Sequence, residues 1–166
     1  MDFTPGTFKF TNPVYPNTRV QTTIAKQLAL SVIIYSPLQM ASDMIENYEK
    51  NPAFEFIISC PANWSKTVVP DAKIGEYVTI ARKDRESENW YVGSITNAEK
   101  RNLDLPLTFL DKGVTYKAKI FKDGKDAEYK TNPYPVDIEE KEVTAETVLN
   151  LQLATSGGTA IILTKL

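Results

Sequence analysis

Apolar residues fall along this chain in two rhythms, and the change between them lies near Trp64. Before it, Ile24, Leu28, Ser31, Val32 and Tyr35 recur at three- and four-residue spacing with Ala25 and Ala29 alongside, which predicts a helix opened by Thr22 or Thr23. The opposite side of that helix, Leu30, Ile33 and Ile34, is nearly as apolar. A helix apolar all round belongs inside something large, and the expectation is that the strands of this chain cannot cover it. Pro37 ends the run by removing a backbone donor, and Leu38 to Ala41 leaves room for one short strand. Ala53 to Cys60 predicts a second apolar helix, opened by Asn51-Pro52 and stopped by Pro61. Helix, short strand, polar loop, helix is the rhythm of a βα-repeat without its flanking strands.

From Thr67 the period becomes two. Strands are predicted through Tyr77 to Ala81, Trp90 to Ile95, Leu103 to Leu107, Tyr116 to Ile120, Val136 to Val143, Leu149 to Leu153 and Ala160 to Leu163. The loop Asp84 to Asn89 joins the first two as a hairpin, and Pro106 makes its strand an edge or a bulge. Asp123-Gly124 and Gly157-Gly158 are turn signals, and residues 125–135, with Asn132-Pro133 and Tyr134-Pro135, are irregular. About seven short strands at hairpin spacing predict an antiparallel sandwich. The fold class is therefore α+β: a helical βα segment over residues 1–64, then an antiparallel β-sandwich over residues 65–166.

Composition removes several chemistries. With no histidine and a single cysteine, Cys60, the chain carries no Ser-His-Asp or Cys-His nucleophile, no histidine-ligated metal and no internal disulfide. A net charge of −2 with acids and bases interspersed gives no electrostatic footprint for nucleic acid. The run Leu28 to Met40 is too short and too interrupted to span a bilayer. The opening MDFTPGTF has neither a basic nor an apolar signal region, so an export signal is expected upstream.

Carboxylates are what remains for acid–base work. Asp2, Asp43 and Glu46 lie in or beside the βα-type segment, where loops after strand C-termini would form an active face. As a residue alone, Asp43 reads better as a helix cap or structural acceptor. Glu139 and Glu140 occupy oppositely facing strand positions and cannot cooperate. Among the aromatics, Trp64, Trp90 and Tyr91 read as packing residues, one of the adjacent pair Trp90-Tyr91 in the core and the other exposed, while Tyr129 and Tyr134 are the better candidates for an exposed sugar platform. Asn63-Trp64-Ser65 matches a glycosylation triplet too common to carry weight, and Gly157-Gly158 is followed by no helix that could bind phosphate. Lys117, Lys119, Lys122 and Lys125 form a basic edge that guards against strand pairing.

At MDFTPG (1–6), TTIAKQLAL (22–30), YSPLQMASDMIENYE (35–49), IGEYVTIARK (74–83) and YKAKIFKDGKDAEYKTNPY (116–134) the sequence resembles the C-terminal end of glycoside hydrolase family 97. The resemblance implies α-glucosidase or α-galactosidase chemistry of the kind found in Bacteroidetes, in enzymes with an N-terminal β-sandwich, a central (β/α)8 barrel and a C-terminal antiparallel β domain. On that plan residues 1–64 are the remnant of the barrel: Met1 to Thr4 the end of strand seven, Thr18 to Tyr35 helix seven, Leu38 to Ala41 strand eight and Ala53 to Cys60 the last helix. The family's catalytic carboxylates and calcium-binding glutamates lie on earlier strands, so the calcium implied for the parent enzyme has no ligand here. Asp2, Thr4, Gln39 and Asp43 are then expected at the substrate-facing rim, touching the sugar or supporting what does. The partners implied are an α-linked oligosaccharide bound by the complete enzyme and the missing barrel and N-terminal portions. Self-association through residues 20–60 is expected of the chain alone, and a periplasmic or secreted location of the parent. Two alternatives stand beside this one: a carbohydrate-binding β-sandwich with a helical appendage, and a self-contained domain whose helix docks on its own sandwich.

Overall fold

The computed structural model describes residues 4–15 and 17–166. Three helices come first, α1 (Ile24–Ile33), α2 (Ile45–Tyr48) and α3 (Phe54–Ser59). Eight strands follow: β1 (Trp64–Lys73), β2 (Tyr77–Asp84), β3 (Trp90–Thr96), β4 (Arg101–Pro106), β5 (Tyr116–Asp123), β6 (Val136–Val143), β7 (Val148–Leu153) and β8 (Gly158–Lys165). They pair antiparallel throughout, in a six-stranded sheet of order β1-β2-β3-β8-β5-β6 and a two-stranded sheet β4-β7. The architecture is mostly antiparallel β with few helices, as a sandwich requires.

β1 adds to the expected strands. Its period is masked because it is an edge strand with a mixed burial pattern, and because Pro70 falls in a register shift between Val68 and Asp71. A proline lacks the ladder donor and is tolerated at such a bulge. Pro106 likewise ends β4, which pairs only with β7. No strand forms over Leu38 to Ala41, where the chain is irregular.

Both faces of the large sheet are covered. On one, Trp90 and Val92 of β3, Ala118 and Ile120 of β5 and Ile161 and Leu163 of β8 meet Leu105, Leu149, Leu151 and Leu153 of the small sheet. On the other, Tyr91, Phe121, Ala160 and Ile162 meet Ile24, Leu28 and Val32 of α1, with Phe8, Phe10, Tyr48 and Phe56 around them. Trp90 and Tyr91 are therefore both buried, at 3% and 5% exposure, because the strand carrying them separates two cores. The expectation that one lies exposed fails for that reason.

The same packing corrects the larger expectation about α1. Ile24, Ala25, Leu28, Ala29 and Val32 are fully buried against strands of the same chain. Two glycines permit this approach. A Cβ on Gly93 of β3 would lie 2.6 Å from the Ala29 carbonyl oxygen, and one on Gly158 of β8 would lie 2.7 Å from the Lys26 Cα. With bare backbone at both points the helix settles directly onto the sheet. Each fully buried aliphatic side chain then contributes about 1.5–3 kcal/mol.

The helix ends are closed by side chains. Thr23 is the N-cap, its hydroxyl accepting from the Lys26 N–H at 3.2 Å. At the other end Gln39 Nε2 donates to the Ser31 and Ile34 carbonyls, and Arg82 Nε donates to the Val32 carbonyl at 2.7 Å. These partners satisfy carbonyls the helix leaves free, so α1 stops at Ile33, before Pro37 is reached. It is accordingly shorter than Thr18 to Tyr35, whereas α3 lies within the expected Ala53 to Cys60.

The expected basic edge is not an edge, because β5 lies between β8 and β6; its lysines pair instead with acids, Lys117 with Glu140, Lys119 with Glu140 and Glu55, and Lys122 with Glu139. The Lys119–Glu55 pair ties α3 to β5.

Candidate functional site

The expected site residues lie where two loops run side by side. Thr4 to Lys9 passes beside Gln39 to Asp43: Ser42 donates its N–H to the Pro5 carbonyl at 3.3 Å, and the Thr7 and Ser42 hydroxyls bond at 2.6 Å. Asp43 closes the join. Its Oδ2 accepts the Phe8 and Lys9 N–H groups at 2.7 and 2.6 Å, and its Oδ1 accepts the Met44 N–H and the Asn47 side-chain amide at 2.8 and 2.6 Å. Burial works to raise the Asp43 pKa, but the bonds from Lys9, Asn47, Met44 and Phe8 outweigh it and hold the carboxyl below its ordinary value. Four donors occupy this carboxylate, which therefore serves here as an acceptor that shapes the loops.

Gly6, at φ +91°, turns the first loop, and two buried side chains hold it. Gln27 Oε1 of α1 accepts from the Gly6 and Thr7 N–H groups at 3.0 and 3.3 Å. The Tyr48 hydroxyl donates to the Gly6 carbonyl at 2.7 Å and accepts from the Asp43 N–H at 2.8 Å. Gln27 and Tyr48 escaped the sequence reading because a polar residue on a helical stripe and an aromatic in a polar loop carry no periodic signal.

Thr4 is exposed, and Gln39 and Asp43 are part-buried. Asp43 borders a cavity of about 490 Å³ with Lys9, Arg19 and Asn47, whereas Gln39 borders a different one of about 360 Å³ with Pro5, Leu38 and Met40. The structure brings these residues to neighbouring loops but not to one cavity. Asp2 lies outside the described residues.

The other candidates resolve into packing. Trp64 packs edge-on against Tyr91, whose hydroxyl donates to the Ser59 carbonyl at 2.8 Å. Tyr134 is half exposed and stacks on buried Phe10, and the Tyr129 and Lys130 carbonyls both accept from the Arg19 guanidinium. Burial pushes the Cys60 thiol up to about 12, so it carries no thiolate at neutral pH. Glu139 bonds Lys122 and Lys141 while Glu140 bonds Lys117 and Lys119, which keeps the two acids apart. Among the described residues no group of three or more His, Cys, Asp or Glu side chains is arranged to hold a metal ion.

Comparison with known proteins gives this arrangement a context. Residues 63–164 match the family described as glycosyl-hydrolase 97 C-terminal, oligomerisation. A retaining α-galactosidase of Bacteroides thetaiotaomicron is 35% identical over 97% of this chain, which spans 24% of that protein. A glycoside hydrolase family 97 enzyme from Pseudoalteromonas sp. strain K8, solved in complex with panose, superposes on 100% of this chain with a TM-score of 0.93 and 46% identity, over 26% of its own length. A β-arabinopyranosidase shares the fold at a TM-score of 0.79 and 23% identity. The chain thus spans about a quarter of the length of these relatives. On the family match and the sequence identity together, the chain belongs to glycoside hydrolase family 97, whose C-terminal β domain it contains.

Proposed function

We propose that residues 1–166 form the closing, non-catalytic part of a family 97 α-glycosidase, an α-glucosidase or α-galactosidase, with the β-sandwich serving as scaffold and oligomerisation module. The observation that carries this reading is the fit of the entire chain onto about a quarter of a solved family 97 enzyme at a TM-score of 0.93. Hydrolysis of a glycosidic bond needs two carboxyl groups set across the sugar. The acids singled out here are otherwise engaged: Asp43 holds four donors, and Glu139 and Glu140 sit in lysine pairs. The reactive carboxylates, and the calcium implied by the family resemblance, belong in this reading to the part of the enzyme outside these residues.

Residues 1–64 are then the end of a (β/α)8 barrel, with α1 as its seventh helix and α3 as its last. Thr4, Gln39 and Asp43 stand at the rim facing an α-linked oligosaccharide. Gln39 and Asp43, with polar atoms already engaged, act there by holding the rim loops. Tyr35, Leu38, Met40 and Ile58, exposed by 51, 70, 49 and 71%, supply the face that meets the rest of the enzyme. The whole enzyme is periplasmic or secreted in this reading.

The test is turnover of p-nitrophenyl α-glucoside and α-galactoside by residues 1–166 alone. No product is expected, and hydrolysis by this chain would refute the assignment. The carbohydrate-binding alternative needs a line of exposed aromatics on one sheet face. Trp64, Trp90 and Tyr91 are buried, and the exposed Tyr15, Tyr35 and Tyr134 lie outside the strands.

A further inference from the structure

The β1–β2 hairpin ends in an isoleucine that touches nothing. Ile74 is fully exposed, at 103%, in the turn Lys73-Ile74-Gly75-Glu76, where Gly75 takes φ +79°. An aliphatic side chain at a hairpin tip gains nothing from the fold, because such turns favour polar residues and glycine. The tip is also held rigidly. Glu76 donates its N–H to the Lys73 carbonyl at 2.9 Å, and Asn97 donates its N–H to the Glu76 carbonyl at 2.8 Å and its side-chain amide to the Gly75 carbonyl at 3.2 Å. Arg101 bonds Glu76 and lies over the Tyr77 ring. Ile74 is therefore presented as a fixed knob.

Ile74 itself borders a recess of about 400 Å³ whose lining also includes Ala72, Tyr77, Val78, Ile95 and Lys26. Ile74 and most of the recess wall belong to one hairpin, so a two-fold axis beside the tip would let the Ile74 of each copy enter the recess of the other. Such self-complementarity is what an isologous contact demands. Lys73 and Glu76, on either side of the knob, pair with each other at 2.6 Å, so neither meets a second copy as an unpaired charge. The hairpin falls within residues 63–164, matched by a family described as oligomerising.

We propose that the Ile74 hairpin is the self-association surface of this β domain and that its partner is a second copy of the chain. The proposal rests on the oligomerisation reading above and adds the residues that perform it. It is distinct from the apolar face at Leu38, Met40 and Ile58, which is assigned to the rest of the enzyme.

Sedimentation velocity over a concentration series, on the wild-type chain, Ile74→Asp and Ile58→Asp, tests it. The wild type is expected to dimerise, and Ile74→Asp to weaken the dimer by about thirtyfold or more, the scale of one interface hot spot. Ile58→Asp is expected to leave that dimer in place. Ile74 is fully exposed within its own chain, so at concentrations where both are monomeric its variant keeps the wild-type melting temperature, which separates lost association from lost folding. Dimerisation that survives Ile74→Asp and vanishes with Ile58→Asp overturns the hairpin while sparing the oligomerisation reading. A wild type that stays monomeric at every concentration overturns both.

Discussion

The two faces of the six-stranded sheet carry similar apolar cores but are closed by different means. One is covered by strands β4 and β7, whose leucines alternate with polar residues: Leu149, Leu151 and Leu153 are buried while Val148, Asn150 and Gln152 are exposed. The other is covered by α1, by α2 and α3, and by the loops around them, held by single polar side chains such as Gln27, Tyr48 and Asp43. The first cover is periodic and needs only its own strands. The second depends on close backbone approach at Gly93 and Gly158 and on capping contacts far apart in sequence. A sheet buried on both sides leaves β3 and β8 almost without exposed residues, and this makes the helical third part of the folded unit.

If both covers are structural, removing a buried leucine from either costs a similar amount. Leu163→Ala on the strand-covered face and Leu28→Ala on the helix-covered face should each lower unfolding free energy by about 2–5 kcal/mol in urea titrations. A loss confined to Leu163→Ala would make the helix a passive attachment. Gly93→Ala acts on the helical face alone, since its Cβ meets the Ala29 carbonyl oxygen at 2.6 Å, and the expected cost is about 1–3 kcal/mol. The same titration, with circular dichroism as readout, checks this value. Thr23→Ala removes the N-cap and should cost about 0.5–2 kcal/mol.

The smallest effect is one of pH, and its sign divides two carboxylates on the helical side. Asp43 is held below its ordinary pKa, so its contribution is present above the unfolded value and is lost as pH falls through the folded one. Asp123 behaves oppositely. Burial raises its pKa, against bonds from Thr23, Ala154 and Gly158 and the charge of Lys26, so its contribution is complete below the unfolded value and is lost as pH rises through the folded one. Urea midpoints measured from about pH 7 to pH 3 should fall less steeply for Asp43→Asn than for wild type, and more steeply for Asp123→Asn.

The strand-covered half was largely legible in the sequence because period two survives wherever one face is polar. β5 alternates Tyr116, Ala118 and Ile120 with lysines, and β7 alternates its leucines with Asn150 and Gln152. β1 was hidden by Pro70 and by its position at an edge. The cover for α1 was not foreseen because β3 and β8 are apolar on both faces, and a continuous apolar strand does not announce what lies on its far side. One signal was present. Gly93 interrupts a strand interior, which marks close approach of another backbone. The site was less legible than the fold. Asp43 could be read as a structural acceptor from its type and place, but its partners Phe8 and Lys9 lie more than thirty positions away. Ile74 stands out only once its complete exposure is known.

Native-state hydrogen exchange on the intact chain tests most directly whether the helix belongs to the folded unit. The account predicts that amides of Leu28 to Ile33 exchange as slowly as those of Tyr91 to Ile95 and Ala160 to Leu163, through one cooperative opening. Fast exchange across α1 while β3 and β8 stay protected would contradict it.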